Sequence, residues 1–171
     1  MASRSVVNFV RQQGFREPST PACEQRFAAL SLQPRIIGVL VVVALILQSS
    51  PAFLALSALL WWNVLVPRWN PFDALHNRFF ARRSGRDPMP PAPAPRRFAQ
   101  GMAASFMLGI GLSLQFGWVV TGYVLQGMLV VALSALLFGN LCLGSYVYHL
   151  IRGEVGFANR TLPWGRGDAM S

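Results

Sequence analysis

The sequence is poor in charged residues and contains no lysine. Only 12% of its 171 residues are charged, against about 25% in an average soluble protein, and 53% are hydrophobic. This composition argues against a soluble globular protein and indicates an integral membrane protein. Two cysteines are too few for the disulfide framework of a small secreted domain. Because residues 1–26 contain no long apolar run, we expect no cleaved signal peptide.

Motifs of the common enzyme classes are also missing. There is no Gly-x-Ser-x-Gly elbow, no His-Glu-x-x-His pair and no phosphate-binding loop, and the six acidic residues are dispersed. The spacing of His76, His149, Cys23 and Cys142 matches no zinc site, so we predict no metal centre. These absences favour a non-catalytic protein and leave the identity of any cofactor open.

All fifteen basic residues are arginines, and they lie outside two long apolar segments. A net charge of +9 would suggest a nucleic-acid partner in a soluble chain. Basic residues next to membrane segments, however, are typically held on the cytoplasmic side. We therefore expect no nucleic-acid partner and place the arginine-containing segments in the cytoplasm.

The apolar segments cover residues 36–66 and 98–151, and each is too long for one spanning helix. The shorter one would extend about 46 Å at ~1.5 Å per residue, across a hydrocarbon core about 30 Å thick. Each should fold back in an uncharged turn, at Gln48–Pro51 and Gln115–Thr121. The sequence thus predicts an all-α membrane protein with four transmembrane helices in two repeated hairpins. The over-long last arm predicts a tilt, a kink at Gly139–Asn140 or a helix that projects from the membrane.

The chain accordingly divides into five segments, with both termini in the cytoplasm. These are a basic cytoplasmic N-terminal segment (1–35), the first transmembrane hairpin (36–66), a cytoplasmic amphipathic helix with a proline-rich spacer (67–97), the second hairpin (98–151) and a cytoplasmic C-terminal tail (152–171). Arg26-Phe27-Ala28 before the first hairpin and Arg97-Phe98-Ala99 at the start of the second support an internal repeat.

The segment between the hairpins has the pattern of a helix that lies in the membrane surface. Asn70 is suited to cap it, Pro71 to occupy its first turn and Gly85 to end it. Phenylalanines recur at helical spacing, and the arginines between them are predicted to contact lipid headgroups: Arg78, Arg82 and Arg83. Residues 87–95, which are rich in proline, predict an extended polyproline spacer.

Small residues mark a helix-packing face on the third span. They recur every fourth position, which places them on one side of a helix: Gly101, Ser105, Gly109, Ser113 and Gly117. The partner of this face is either the fourth span or another protein. Amides within the apolar segments favour hydrogen bonds between helices rather than proton transfer: Asn63, Gln115, Gln126 and Asn140.

An ordered set of short motifs resembles a known family. The motifs are Cys23-Glu24-Gln25-Arg26-Phe27, Pro67-Arg68-Trp69-Asn70-Pro71, Pro95-Arg96-Arg97-Phe98-Ala99-Gln100 and Cys142-Leu143-Gly144-Ser145 with Tyr148. From Cys23 to Arg152 the chain resembles the bacterial integral membrane proteins grouped as domain of unknown function 4395. The resemblance implies importance for the motif positions Arg26, Phe27, Asn70, Pro71, Arg97, Phe98, Cys142 and Gly144.

The same resemblance hints at sulfur redox chemistry. Some members of the family look like neighbours of thioredoxin-like or sulfurtransferase proteins. Many members carry a Cys-x-Gly-Cys motif, whereas this chain has Ser145 in place of the second cysteine. A serine cannot resolve a mixed disulfide, so a dithiol mechanism is not available to Cys142 and Ser145. Cys142 is left as a lone redox candidate or as a partner for Cys23.

We expect a multi-pass protein of the bacterial inner membrane, with membrane lipids and other membrane subunits as partners. Its expected role is that of a non-catalytic accessory or structural subunit of a larger complex. The alternative is a membrane thiol or quinone redox component that uses Cys142. A small transporter is a third possibility, disfavoured because neither apolar segment carries an acidic or basic residue in its interior.

Overall fold

The fold was analysed in a computed structural model, which describes residues 4–15, 20–72 and 92–165. The described part is entirely helical, with no strand. Its helices are α1 (Arg4–Gln12), α2 (Thr20–Ile46), α3 (Ser50–Leu65), α4 (Ala94–Gln115), α5 (Val119–Gly139), α6 (Leu143–Ile151) and α7 (Val155–Arg160), with a 3₁₀ turn at Pro67–Trp69 after α3.

Within the described residues, two helices, rather than the four expected, are long and apolar enough to cross a membrane. They are Arg26–Ile46 within α2 and Val119–Gly139, which is α5. Helix α3 has 16 residues and extends ~24 Å, short of a core about 30 Å thick. Helix α4 has 22 residues, but its first two turns contain Arg96, Arg97 and Gln100. The prediction of an all-α chain is confirmed, whereas the number of helices that qualify by length and composition is half of that predicted.

Both predicted turns are confirmed, and local residues explain them. Helix α2 ends before Gln48, which has a positive φ of 45°, and Ser49 then caps α3 by accepting a bond from the Ala52 N–H at 3.4 Å. Pro51 lies in the first turn of α3, where its missing N–H costs nothing. The second turn contains Gly117, whose φ of 71° favours glycine.

Three alternatives were predicted for the long last segment, and the structure shows a break in the helix at Asn140. This residue adopts the left-handed conformation with a φ of 51°, and the Leu141 N–H donates back to the Ala135 carbonyl at 3.1 Å. Such a bond is typical of a helix end with a left-handed cap. A new helix, α6, then begins at Leu143.

Two of the predicted boundaries next to proline are shifted. Helix α2 runs through Pro34 from Thr20, although the first span was predicted to begin at residue 36. The polyproline spacer was predicted to reach Pro95, but α4 already begins at Ala94, directly after the extended Pro93. Proline is tolerated in the first turn of a helix, which explains the early start of α4. Residues 73–91, with Arg78, Arg82, Arg83 and Gly85, lie outside the described residues.

Helices α3 and α4 form an antiparallel pair that lies at the centre of the fold. The Ser50 hydroxyl donates to the Gly111 carbonyl at 2.8 Å, and the Ser57 hydroxyl donates to the Ala104 carbonyl at 2.8 Å. The partners step by seven residues in opposite directions, which is two helical turns along each helix. The same register is therefore fixed at successive levels of the pair.

A third bond continues this series at the end of α3. Arg97 donates from Nε and Nη2 to the Val64 carbonyl, at 3.0 and 2.8 Å. Again the positions are seven residues beyond Ser57 and seven before Ala104. Because the last carbonyls of a helix have no partner within it, the guanidinium both caps α3 and neutralises the negative end of its dipole.

The hydrophobic core surrounds the α3–α4 pair. Phe53, Met107 and Ile110 are fully buried between the helices, and Val41 of α2 and Leu129 of α5 complete the core from either side. The turn after α2 is also tied to α5, since the Gln48 and Gln126 amides exchange hydrogen bonds at 3.3 and 3.1 Å.

We predict that Gly111→Ala destabilises the fold, whereas Gly127→Ala does not. A Cβ atom at Gly111 would lie 2.8 Å from the Leu54 side chain and 3.3 Å from the Leu54 backbone nitrogen, but one at Gly127 meets nothing within 4 Å. Overpacking of this kind costs about 1–3 kcal/mol, while alanine at an open helical position gains up to about 1 kcal/mol. The midpoint of thermal unfolding of the two purified variants provides the test. Equal midpoints would contradict close α3–α4 packing.

Candidate functional site

Cys142 lies at the start of α6, immediately after the chain break at Asn140. It is the N-cap residue of α6 and is a buried free thiol with 6% of its surface exposed. Its backbone N–H donates to Gln12 Oε1 at 3.0 Å. The N-terminal helix α1 therefore supplies a hydrogen-bond acceptor at the position of the cysteine. Phe9 and Val10 of α1 pack into the same cluster as Cys142.

Ser145 is fully buried one turn further along α6. Its hydroxyl lies 3.4 Å from Cys142 Sγ and 3.3 Å from the Pro95 carbonyl, to which it donates. Gly144 lies between them, and a Cβ atom there would be 2.6 Å from Ala99 Cα. Only glycine permits this approach of α6 to α4, which explains why glycine occupies the position between the two polar side chains.

His149 clamps α1 against the C-terminal helices. Its Nδ1 lies 2.6 Å from Glu154 Oε2, and its Nε2 lies 3.2 Å from the Gln12 carbonyl oxygen. The donor and acceptor roles of the two ring nitrogens in these contacts depend on the tautomer. The ring also contacts Phe157, with centroids 4.7 Å apart. His149 thus has a packing role, and no group of three potential metal ligands occurs among the described residues.

A cavity of about 150 Å³ adjoins Cys142. Its wall is mostly apolar and includes Phe9, Pro34, Met107 and Leu133. An engineered apolar cavity of similar volume is large enough to hold benzene, so the space is that of one small ring or a short piece of acyl chain.

One end of this cavity is polar. Arg96 Nη2 and Gln100 Nε2 both donate to Gln33 Oε1, at 3.0 and 2.9 Å, and all three side chains are buried. A guanidinium only donates, so the Gln33 atom that faces it must be the oxygen, and this fixes the orientation of both amides. Gln100 Oε1 is left without a hydrogen-bond partner in the described structure. An unsatisfied buried acceptor of this kind costs about 1–3 kcal/mol.

The predicted packing stripe is divided between three environments. Gly109 and Ser113 face α5, where a Cβ atom on Gly109 would lie 2.9 Å from Leu125 and one on Gly122 would lie 3.5 Å from Ser113. Gly101 and Ser105 instead line an open groove beside α3 and α6. Gly117 is part of the turn after α4. The closest helix approaches involve two other glycines, Gly111 and Gly144.

The motif residues of the family resemblance lie at helix junctions. Arg26 stacks on the Phe15 ring, and Phe27 packs edge-on against Phe9, so both hold α1 against α2. Asn70 accepts a bond from the Phe72 N–H at 3.0 Å, as expected of a cap before Pro71. Phe98 packs against Tyr148 of α6. His76 and the side chain of Cys23 lie outside what the structure describes.

Sequence reasoning missed helix α1, which brings Gln12 to the site, and the two glutamines that α2 and α4 contribute. Val6, Phe9 and Val10 have the spacing of one helical face, and Arg4 and Arg11 flank them, so an amphipathic signal was available. No local signal relates Gln12 to Cys142, because 130 residues separate them. The amide of Gln12 and the side chains of Gln33 and Gln100 become neighbours of the site only through packing.

This arrangement stabilises a buried thiol more than it activates one. Reactive cysteines are partly exposed and lie next to cations or a base. Within the described part of the chain, the polar contacts of Cys142 are a serine hydroxyl and a glutamine amide.

Comparison with known proteins identifies one family. The family model for "Domain of unknown function (DUF4395)" matches residues 21–152. No curated protein and no solved structure matches the chain.

We predict that Ser145→Cys, made together with Cys23→Ser, produces an intramolecular disulfide with Cys142 on oxidation. Ser145 Oγ already lies 3.4 Å from Cys142 Sγ, so the ends of the two side chains are neighbours. A disulfide also needs the two Cβ atoms to lie about 3.5–4.5 Å apart. Intact-mass measurement should show the loss of two hydrogens, and thiol labelling after unfolding should require prior reduction. Ser113→Cys in the same background is the matched control and should keep two free thiols. Two free thiols in the oxidised Ser145→Cys variant would contradict this geometry.

Proposed function

Because the chain belongs to the DUF4395 family, whose description assigns no activity, we propose its function from the physical properties of its surface. We propose a non-catalytic, multi-pass protein of the bacterial inner membrane that serves as an accessory or structural subunit of a larger complex. The observation that carries this proposal is the outer surface of α2 and α5, which is apolar and exposed along most of its length.

Most of the apolar stretches of α2 and α5 is not buried by other parts of the chain. Only 39% of the most apolar stretch of α2 and 17% of that of α5 are buried within the chain, whereas the core helix of a soluble protein is mostly buried. Contiguous apolar surface of this extent is rare on soluble monomers and typical of lipid or protein contact. The most exposed side chains are Val39, Ile46 and Leu47 near the end of α2, and Val119, Val120, Tyr123, Val131 and Phe138 along α5.

The distribution of charge supports a four-helix topology in which α3 and α4 pack with α2 and α5 in one bundle. The turns after α2 and α4 lie at one end of the bundle and carry no charge. Arginines gather at the opposite end, among them Arg35, Arg68, Arg97 and Arg152. By the positive-inside rule, this distribution supports a cytoplasmic location for this end and for both termini. The short α3 is compatible with this topology, because it packs along α4 and because local thinning of the bilayer can accommodate its short length.

The outer face of α5 is the best candidate for contact with another subunit. It is the least buried of the long helices, and a Cβ atom on Gly127 near its middle meets nothing within 4 Å. A small residue within an exposed apolar helix allows the backbone of a partner helix to approach closely.

The redox alternative has one observation in its favour, since Cys142 contributes to the wall of the 150 Å³ cavity. A small apolar oxidant in that cavity would reach a thiol that is otherwise buried. Cys142→Ser separates the two functions, because it abolishes any thiol activity but preserves a structural subunit. An unchanged phenotype in cells that carry only this variant would remove the redox alternative.

We predict that gentle detergent extraction of the tagged chain from its native membrane yields a stoichiometric membrane partner. Gly127→Phe should release this partner because it places a large ring on the outer face of α5. Val39→Phe, which adds a similar ring on the exposed face of α2, is the matched control and should retain it. Mass spectrometry of the purified material measures the ratio of partner to chain. A lone monomer from wild-type membranes would overturn the accessory-subunit proposal.

A further inference from the structure

A second, larger groove lies at the arginine-rich end of the helix pair. It has a volume of about 560 Å³, within the ~300–1,000 Å³ of small-molecule sites, and runs between the end of α3, the first half of α4 and α6. Gly101 and Ser105, which have no side chain or a small one, line the bottom of the groove and leave it deep. The nearest atom to a Cβ on Gly101 is in Val64 at 3.9 Å, and the Ser105 hydroxyl donates back to the Gly101 carbonyl of its own helix at 2.9 Å.

The groove contains one charged residue, Arg97, and no carboxylate lines it among the described residues. Arg97 is half-buried, and its Nε and Nη2 donate to the uncharged carbonyl of Val64. These bonds use two of the five N–H donors of the guanidinium, and no contact within the described residues occupies the other three, so they and the net charge can meet an anion. Planar guanidinium groups bind phosphate and carboxylate oxygens through paired hydrogen bonds.

Aromatic side chains surround this cation. Trp61 and Tyr148 line the groove together with Phe98, whose ring centroid lies 5.7 Å from that of Tyr148. Tryptophan and tyrosine are enriched at the level of lipid headgroups. Arg152 lies next to Tyr148 but outside the groove lining: its Nη1 donates to the Tyr148 hydroxyl at 3.1 Å, which raises the pKa of Arg152, and its Nε pairs with Glu154 Oε1 at 3.7 Å.

We propose that this groove binds one anionic phospholipid, with its phosphate on Arg97 and an acyl chain lying over Gly101 and Ser105 towards Phe106. The inference rests on the proposed membrane location. A phospholipid fits this groove better than a docked helix of another protein, because its phosphodiester supplies an anion at the depth where aromatic and arginine side chains meet. The apolar continuation of the groove matches the chain attached to that same phosphate.

The test is native mass spectrometry of the full chain released from vesicles that contain equal amounts of phosphatidylglycerol and phosphatidylethanolamine with identical chains. We expect one phosphatidylglycerol to be retained preferentially on each wild-type chain. Arg97→Gln should reduce this preference about tenfold, which is the scale of one charge-assisted hydrogen bond. Arg68→Gln changes an exposed arginine at the same end of the bundle, outside the groove lining, and should leave the preference intact.

A second variant tests the space rather than the charge. Ser105→Leu fills the floor of the groove, and because the serine hydroxyl bonds only within α4, the fold should persist. Ser105→Leu should retain neither phosphatidylglycerol nor phosphatidylethanolamine, although it keeps the Arg97 guanidinium. Should Arg97→Gln not fold, as judged by its unfolding midpoint, Ser105→Leu decides the matter.

Equal retention of both lipids by the wild type, or lipid retention unchanged in Ser105→Leu, would overturn the inference. Crosslinking of Ser105→Cys to a partner protein in native membranes, with no retained lipid, would also overturn it and assign the groove to a helix. Failure of the membrane proposal is distinguishable, since an alkaline carbonate wash would then release the chain from membranes. A chain that resists the wash but shows no lipid preference contradicts the lipid site alone.

Discussion

The antiparallel pair of α3 and α4 is the element on which the rest of the structure depends. Ser50, Ser57 and Arg97 each donate to a main-chain carbonyl of the opposite helix, and the three levels are spaced by seven residues. Burial of apolar side chains has no preferred direction, so close packing and polar bonds must set the register of the two helices. Gly111 permits the close approach by lying against Leu54. Helices α2 and α5 then pack on a pair whose alignment is already fixed.

The site around Cys142 depends on this pair because α4 supplies its foundation. Gly144 lies against Ala99, and Ser145 donates to Pro95, so α6 is seated on the first turns of α4. Helix α1 covers the other side through Gln12 and thereby joins the two ends of the described chain. The thiol is enclosed by structural contacts from both directions. Cys142 therefore has a place in the packing that does not require a second thiol.

Polar groups in this fold have two distinct roles. Within the apolar region they are paired amides and hydroxyls, as in the Gln48–Gln126 exchange, and they specify helix contacts. Asn63 departs from this pattern, since it is fully buried and its amide has no partner in the described structure. Among the described residues, the turns after α2 and α4 carry no charged side chain, and Arg97 combines the packing role with a surface role by capping α3 and lining a groove.

The helical class, the family resemblance and the positions of the turns could be predicted from the sequence, because they depend on composition, on short motifs and on local residues such as Ser49, Pro51 and Gly117. Tertiary structure decided which glycines mediate helix contact, since a stripe of small residues does not reveal its partner. Gly111 and Gly144, rather than Gly101, meet a neighbouring helix most closely. It also brought α1 to α6, for hydrogen bonds between residues 130 positions apart leave no periodic trace in either segment. Local preferences act over a few residues, whereas register and docking arise only when whole faces pack together.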